Sequence, residues 1–210
     1  IQIVEASAYA ASGFNNAITL TGETFNWDGY FGHKVVATGL KAGTTYKYRV
    51  GTTTKDQWRK VGTFVTDNGD SKFSFIAIAD VQASSLENFE KAAVVMDKAM
   101  QYTPDAEFVI NLGDFVNDCT SEEWNWYGEA FEDANTSLTL VPVAGNHEGN
   151  ITNKLNVNWF DNMFNLKKGE GDLNGVNGVY YSYDYGNVHF TVLNSNDMYP
   201  MPEAQRNWIY

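Results

Sequence analysis

Three short apolar runs, each followed within two residues by polar side chains, constrain the fold of this chain most strongly. The runs cover residues 73–79, 108–112 and 140–144. Their length and their β-branched and aromatic residues are typical of buried strands. The polar residues that follow the three runs are, in order, Asp80, Asp114, Asn146 and His147. Each predicted strand therefore ends where an oxygen or nitrogen donor begins.

The two segments between these runs have the sequence pattern of helices. The first has capping-box spacing from Ser84 to Glu87, and Pro104 would end it. Its apolar stripe consists of Leu86, Phe89, Ala93, Met96 and Met100. The second has the same capping-box spacing from Thr120 to Glu123. Alternating strands and helices favour a parallel sheet, whose strand ends meet at one edge where ligands bind.

We therefore expect the four polar residues to lie close together and to offer oxygen donors and one imidazole. Such a site suits Mn, Mg, Fe or Zn better than a structural cysteine site does. The single cysteine, Cys119, lies in a polar loop and is not expected to take part. A carboxylate between two sets of ligands can bridge two metals. For His147 an alternative stays open, in which it is a loop histidine bonded only to backbone.

Three motifs carry a resemblance to a known family. They are Asp80-Val81-Gln82, Gly113-Asp114 with Asn117, and Gly145-Asn146-His147-Glu148. In this order and spacing they resemble the first three motifs of the calcineurin-like metallophosphoesterases. Together with the preceding domain they are most similar to the purple acid phosphatase branch. The resemblance implies a four-layer α/β/β/α fold, truncated here at its carboxyl end, and hydrolysis of phosphate monoesters or diesters by a metal-bound hydroxide.

The resemblance also implies roles for single residues at a centre of two metal ions. Asp80 would bind the first metal, Asp114 would bridge the two, and Asn146 would bind the second. Gln82 stands where many members have a histidine ligand, and its amide oxygen is a weaker ligand than imidazole. His147 would act as the acid for the leaving group or contact the transition state. From residue chemistry alone, the neighbouring carboxylate of Glu148 is expected to fix the orientation of His147.

Two departures from the family pattern bear on the metals. Purple acid phosphatases have a tyrosine ligand where this chain has Asn117, so the iron–tyrosinate colour is expected to be absent. After His147 the chain contains only His189, in an alternating strand where we interpret it as structural. We therefore expect the remaining ligands beyond Tyr210, and little or no turnover by the chain that ends there.

Residues 1–68 have a different pattern, in which short β-prone runs alternate with glycines. The runs cover residues 18–20, 33–38, 45–50 and 61–66. They predict an incomplete all-β sandwich that looks like a fibronectin type III domain, with Tyr46 as its corner tyrosine. His33 is expected at the surface or at a domain interface. The polar turn at residues 67–70 is the predicted boundary between domains of residues 1–68 and 72–210.

The last third of the chain alternates irregular and regular patterns. We expect a short helix near residues 158–165 and a loop over residues 167–178. A hairpin is predicted from residue 179 to 193 around the Gly186-Asn187 turn, and a helix after Pro202.

Composition limits the possible partners. The chain has 26 acidic and 14 basic residues and a net charge of −12, which argues against nucleic-acid binding. The expected substrate is a small phosphate ester or a phosphorylated polymer. No run of 18 apolar residues is present, so no membrane span is expected. No signal peptide is visible, although the resemblance suggests an extracellular or cell-envelope protein.

A second function class stays open on the same residues. The chain could be a catalytically degenerate binding or adhesion module built on a fibronectin-like domain. Gln82 and Asn117 would then be traces of a lost active site. The presence of Asp80, Asp114 and the Asn146-His147 pair favours the hydrolase.

Overall fold

We describe the chain from a computed structural model, over residues 1–27, 29–148, 158–166, 180–195 and 203–210. The amino-terminal part contains one helix and eight strands among these residues. They are β1 (Gln2–Glu5), α1 (Ala6–Ser12), β2 (Ile18–Thr19), β3 (Glu23–Trp27), β4 (Tyr30–Lys34), β5 (Thr45–Arg49), β6 (Gly51–Thr52), β7 (Gln57–Trp58) and β8 (Gly62–Val65).

The centre of this part is a four-stranded antiparallel sheet in the order β2-β1-β5-β8. The pairs β3–β4 and β6–β7 form separate two-stranded sheets. The prediction of an all-β domain is wrong for residues 6–12, which form α1. Four of these seven residues are alanine, the residue with the highest helix propensity.

Tyr46 confirms the predicted tyrosine corner. Its side chain is buried, and its hydroxyl accepts a hydrogen bond of 2.9 Å from the backbone N–H of Lys41. The strand expected at residues 33–38 instead covers Tyr30–Lys34, because its partner strand begins at Glu23, which is paired with Lys34.

The carboxyl-terminal part alternates strands and helices. Its elements are β9 (Ser74–Ile78), α2 (Leu86–Tyr102), β10 (Ala106–Asn111), α3 (Ser121–Ala130), α4 (Glu132–Ser137), β11 (Thr139–Pro142), α5 (Asn158–Met163), β12 (Tyr181–Tyr185), β13 (Val188–Val192) and α6 (Glu203–Ile209). The strands β9, β10 and β11 form the predicted parallel sheet, with β10 in the centre. The complete four-layer arrangement stays a prediction.

The helices α2 and α3 begin at hydrogen-bonding side chains. In α2 the N-cap is Ser85, whose side chain accepts from the N–H of Asn88, so the capping box predicted from Ser84 is wrong by one residue. In α3 the capping box between Thr120 and Glu123 is confirmed. The apolar stripe of α2 is also confirmed, because Phe89 and Met96, about two turns apart, are both buried in the core.

The predicted hairpin is formed by β12 and β13, and it packs on the sheet through aromatic rings. The ring of Phe108 on β10 lies 4.8 Å from that of Tyr185 and 5.9 Å from that of Phe190. Gly186 in the turn has a φ of 55°, which glycine adopts without strain. The predicted helices near residue 158 and after Pro202 are confirmed as α5 and α6. The loop predicted at residues 167–178 lies outside the described residues.

Among the described residues, the two parts of the chain are in contact where α4 lies against β8, and several polar groups join them. Lys60 forms an ion pair with Asp133, and Asn125 donates a hydrogen bond of 3.1 Å to the hydroxyl of Tyr30. The N–H of Gly186 donates to the carboxylate of Asp67, at 3.1 Å. Within the described residues, no helix combines the length and apolar character that a membrane crossing needs.

Candidate active site

Three residues in the loops after β9 and β10 have an unusual backbone conformation. Asp80, Gln82 and Asp114 have φ values of 55°, 39° and 54°. A positive φ is uncommon outside glycine, and residues held there cluster at functional sites at a cost of about 1–3 kcal/mol each. In the described part of the chain, only Asp56 and Cys119 are other non-glycine residues with this conformation. The local strain therefore coincides with the candidate ligands.

Backbone hydrogen bonds hold the loop after β9 against the loop after β10. The N–H of Asp80 donates to the carbonyl of Gly113 at 3.1 Å, and that of Gln82 donates to the carbonyl of Asp114 at 2.9 Å. The parallel pairing thus continues beyond the two strands. As a result Asp80 and Asp114 lie on neighbouring chain segments at the same edge of the sheet.

The loop after β11 packs closely on the loop after β10. A Cβ atom on Gly113 would lie 2.7 Å from the Cα of Gly145, and one on Gly145 would overlap the carboxylate of Asp114. The N–H of His147 donates to Oδ1 of Asp114 at 3.0 Å. Glycine is required at both positions because the backbones of the two loops approach so closely.

Glu148 has a different role from the predicted one. Its carboxylate does not orient His147; it is fully buried and accepts hydrogen bonds from backbone N–H groups. Oε2 accepts from Asp114 at 2.8 Å and from Gly145 at 2.7 Å, and Oε1 accepts from Phe115 at 2.7 Å. Burial raises the pKa of Glu148 to about 7, although the three N–H donors act in the opposite direction.

His147 is held by its two ring nitrogens. Nδ1 lies 2.5 Å from the carbonyl oxygen of Asn117, and Nε2 lies 2.8 Å from Nε2 of Gln82. A carbonyl can only accept, so Nδ1 carries a proton. In the neutral ring Nε2 then accepts from the amide of Gln82. His147 is therefore bonded to backbone, as a loop histidine would be, and also contacts one of the candidate ligands.

The side chains in these loops are of the chemical types that bind hard cations. The side chains of Asp80 and Asn146 are exposed and those of Asp114 and His147 are half-buried, so all four can be reached from solvent. Carboxylate and amide oxygens suit Mg and Mn, and an added imidazole suits Fe and Zn. Among the described residues no three His, Cys, Asp or Glu side chains group closely enough to hold a metal alone.

The two other histidines lie on strands away from these loops, whereas Cys119 lies in the loop after β10. His33 is on β4, is exposed, and is bonded to Oγ1 of Thr24 at 2.9 Å. His189 is on β13, is exposed, and contacts the carboxylate of Asp184 at 2.6 Å. Cys119 was expected in a polar loop, but its thiol is buried, and burial raises its pKa to about 11. It donates to the carbonyl of Glu148 at 3.1 Å.

Comparison with known proteins agrees with this architecture. Residues 73–209 match the family model of the calcineurin-like phosphoesterases, and residues 2–66 match that of the purple acid phosphatase N-terminal domain. Purple acid phosphatase 15 of Arabidopsis thaliana is 22% identical over 200 residues, which cover 84% of this chain and 37% of the relative. Purple acid phosphatase 13 of the same plant is 24% identical over 213 residues, which cover 84% and 38%.

The chain thus spans less than two fifths of the length of these two relatives. The phosphoesterase match covers well over half of the chain and includes all three loops of the candidate site. The chain belongs to the calcineurin-like phosphoesterase family and carries an amino-terminal domain of the purple acid phosphatase type.

Proposed function

We propose that this protein hydrolyses phosphate esters with the help of two metal ions bound at the edge of the parallel sheet. The observation that carries the proposal is the meeting of three loops, tied by backbone hydrogen bonds, that bear Asp80, Asp114 and the Asn146-His147 pair. Family membership supports the same reaction class. The substrate would be a small phosphate monoester or diester, or a phosphorylated polymer.

In this proposal the oxygen donors would divide between the two cations. Asp80 would hold one, Asn146 would hold the other, and Asp114 would be shared by both. Gln82 contacts His147 through its amide nitrogen, which leaves its amide oxygen as the donor that it offers to a cation. The cations, whether Fe, Mn, Zn or Mg, would activate a water and neutralise charge on the phosphoryl oxygens.

His147 is the proposed acid or contact for the leaving oxygen. The carbonyl of Asn117 keeps Nδ1 protonated and fixes the plane of the ring. Nε2, which contacts the candidate ligand Gln82, carries the transferable proton when the ring is positively charged.

The test is a phosphatase assay on the protein in its full natural length, with a monoester and a diester of p-nitrophenol and added Mn²⁺ or Zn²⁺. Asp114→Asn removes the bridging charge and is expected to lower the rate about 100-fold or more, the scale of a lost electrostatic contact to a transition state. Asp118→Asn is the matched control, because Asp118 is exposed and lies in the same loop.

Three outcomes of this assay separate the hypotheses. Hydrolysis by the wild type, lost in Asp114→Asn and kept in Asp118→Asn, supports the hydrolase. Equal activity in all three proteins would contradict the role of Asp114. Absence of hydrolysis by a folded, metal-loaded wild type would favour the binding or adhesion module.

We further propose that the domains are residues 1–68 and 72–210, with the polar turn at residues 67–70 between them. Supporting this, the two family matches end at residue 66 and begin at residue 73. An extracellular or cell-envelope location is proposed from the resemblance to purple acid phosphatases. Fractionation of the source cells tests it, and recovery only in the cytosol would contradict it.

A further inference from the structure

The Glu148 carboxylate contacts the two loops that carry the proposed bridging and second-metal ligands. Oε2 accepts from two N–H groups, one of Asp114 after β10 and one of Gly145 after β11. Oε1 accepts from the next residue of the first loop, Phe115. One buried side chain therefore joins the backbones of two loops that are more than 30 residues apart in sequence.

These hydrogen bonds have no simple replacement. Phe115 is fully buried, and Asp114 and Gly145 are partly buried, so water has limited access to their N–H groups. A buried N–H without a partner is costly, and nearly all such groups in native proteins are bonded. Asp114 is also in the left-handed conformation, which the surrounding structure has to hold in place.

We infer that Glu148 is a positioning residue that fixes the Asp114 carboxylate relative to Asn146, and that it thereby sets the affinity for metal. This inference rests on the proposed function, because it assumes that Asp114 and Asn146 bind cations. Glu148 itself has its carboxylate turned to backbone N–H groups and binds no metal. Its effect reaches the site through the spacing of the two loops.

The carboxylate is needed because both of its oxygens accept hydrogen bonds from backbone N–H groups. A glutamine in the same position has one acceptor oxygen, and its NH₂ group would face at least one of the three N–H groups. Two donors cannot share a hydrogen bond, so at least one loop has to move away. Residues that do not bind the metal but hold its ligands in place typically contribute about 10–100-fold to metal affinity.

Glu123 provides a matched control in the same domain. It is also a buried glutamate, only 4% exposed, and its carboxylate also accepts from backbone N–H groups. Its partners are Asp118 at 2.8 Å and Thr120 at 3.4 Å, at the start of α3. Replacing Glu123 with Gln removes the same kind of contact without touching the Gly113–Phe115 or Gly145 backbone.

The experiment measures Mn²⁺ binding to the wild type, Glu148→Gln and Glu123→Gln by titration calorimetry. The thermal unfolding of each protein is recorded as well. We expect both variants to melt at lower temperatures than the wild type. Glu148→Gln should bind Mn²⁺ about 10-fold more weakly or worse, while Glu123→Gln should bind it as the wild type does. Wild-type affinity in Glu148→Gln, or an equal loss in Glu123→Gln, would overturn the inference.

Amide hydrogen exchange in the metal-free wild type decides the inference if Glu148→Gln does not fold. The amides of Asp114, Phe115 and Gly145 should exchange slowly although they lie in loops. Exchange as fast as in exposed loops would overturn the role of Glu148. Glu148→Asp, which keeps the charge but is shorter, should bind Mn²⁺ with an affinity between those of Glu148→Gln and the wild type.

The same data distinguish a failure of this inference from a failure of the proposed function. If the folded wild type binds no Mn²⁺, the metal-dependent hydrolase is wrong. Slow exchange of the three amides would then still support a loop-joining role for Glu148. If the wild type binds Mn²⁺ and Glu148→Gln binds it equally well, only the positioning role is wrong.

Discussion

At the scale of single residues, the candidate site depends on backbone conformation as much as on side-chain chemistry. The sequence predicts that Asp80, Asp114 and the Asn146-His147 pair end three strands, because apolar runs and the residues after them can be read directly. It does not predict that Asp80 and Asp114 have positive φ values, since aspartate has no strong preference for them. Such conformations follow only from the contacts between the loops.

Gly145 offers a direct test of the close approach between these loops. Gly145→Ala places a Cβ where the Asp114 carboxylate and backbone N–H now lie. We expect weaker Mn²⁺ binding and a loss of about 1–3 kcal/mol in the free energy of unfolding, as for other overpacked positions. Calorimetry and urea denaturation measure the two effects.

Gly128 in α3 is the matched control for this substitution. A Cβ on Gly128 would meet no heavy atom within 4 Å, and the residue is helical. Gly128→Ala should therefore stabilise the protein by up to about 1 kcal/mol and leave Mn²⁺ binding unchanged. Equal effects of the two substitutions would show that the loops do not approach as described.

The role of Glu148 shows where reasoning from the sequence reaches its limit. A glutamate next to a histidine suggests that the two side chains interact, so the sequence predicts that Glu148 orients His147. In the structure the carboxylate turns inward to three N–H groups, while Asn117 and Gln82 hold the ring of His147. These partners are 30 to 65 residues away from His147 in sequence, so local patterns contain no signal for them.

At the scale of elements, prediction succeeded where the pattern is local. The strands of the parallel sheet, the capping box of α3 and the β12–β13 hairpin are each encoded within a few consecutive residues. Prediction missed β1, which pairs with β5 from Gln2 opposite Arg49. That pairing joins distant segments, and the four residues of β1 are too few to show a period.

The start of α2 gives a test at this scale, because the sequence and the structure indicate different N-caps. Ser85→Ala removes the side chain that accepts from Asn88 and should lower the free energy of unfolding by about 1 kcal/mol. Ser84→Ala should change it by less than about 0.5 kcal/mol, since Ser84 is exposed. Urea denaturation measures both, and a larger effect at Ser84 would support the original prediction.

At the scale of the whole molecule, the amino-terminal part contacts the phosphoesterase part through polar groups. The Lys60–Asp133 ion pair joins two exposed side chains, so water and salt screen their attraction and the pair adds little to stability. The hydrogen bond from Gly186 to Asp67 connects the linker to the β12–β13 turn. The two-domain organisation could be predicted from the change of pattern near residue 67, whereas these contacts could not.

The proposed function depends most on the role of Asp114 in a metal site. The decisive experiment for this role is Mn²⁺ titration of the wild type, Asp114→Asn and the exposed control Asp118→Asn, each checked for folding by circular dichroism. We expect that the wild type and Asp118→Asn bind at least one Mn²⁺ and that Asp114→Asn loses this binding. A folded wild type that binds no Mn²⁺, or an Asp114→Asn variant that binds it as tightly as the wild type, would contradict it.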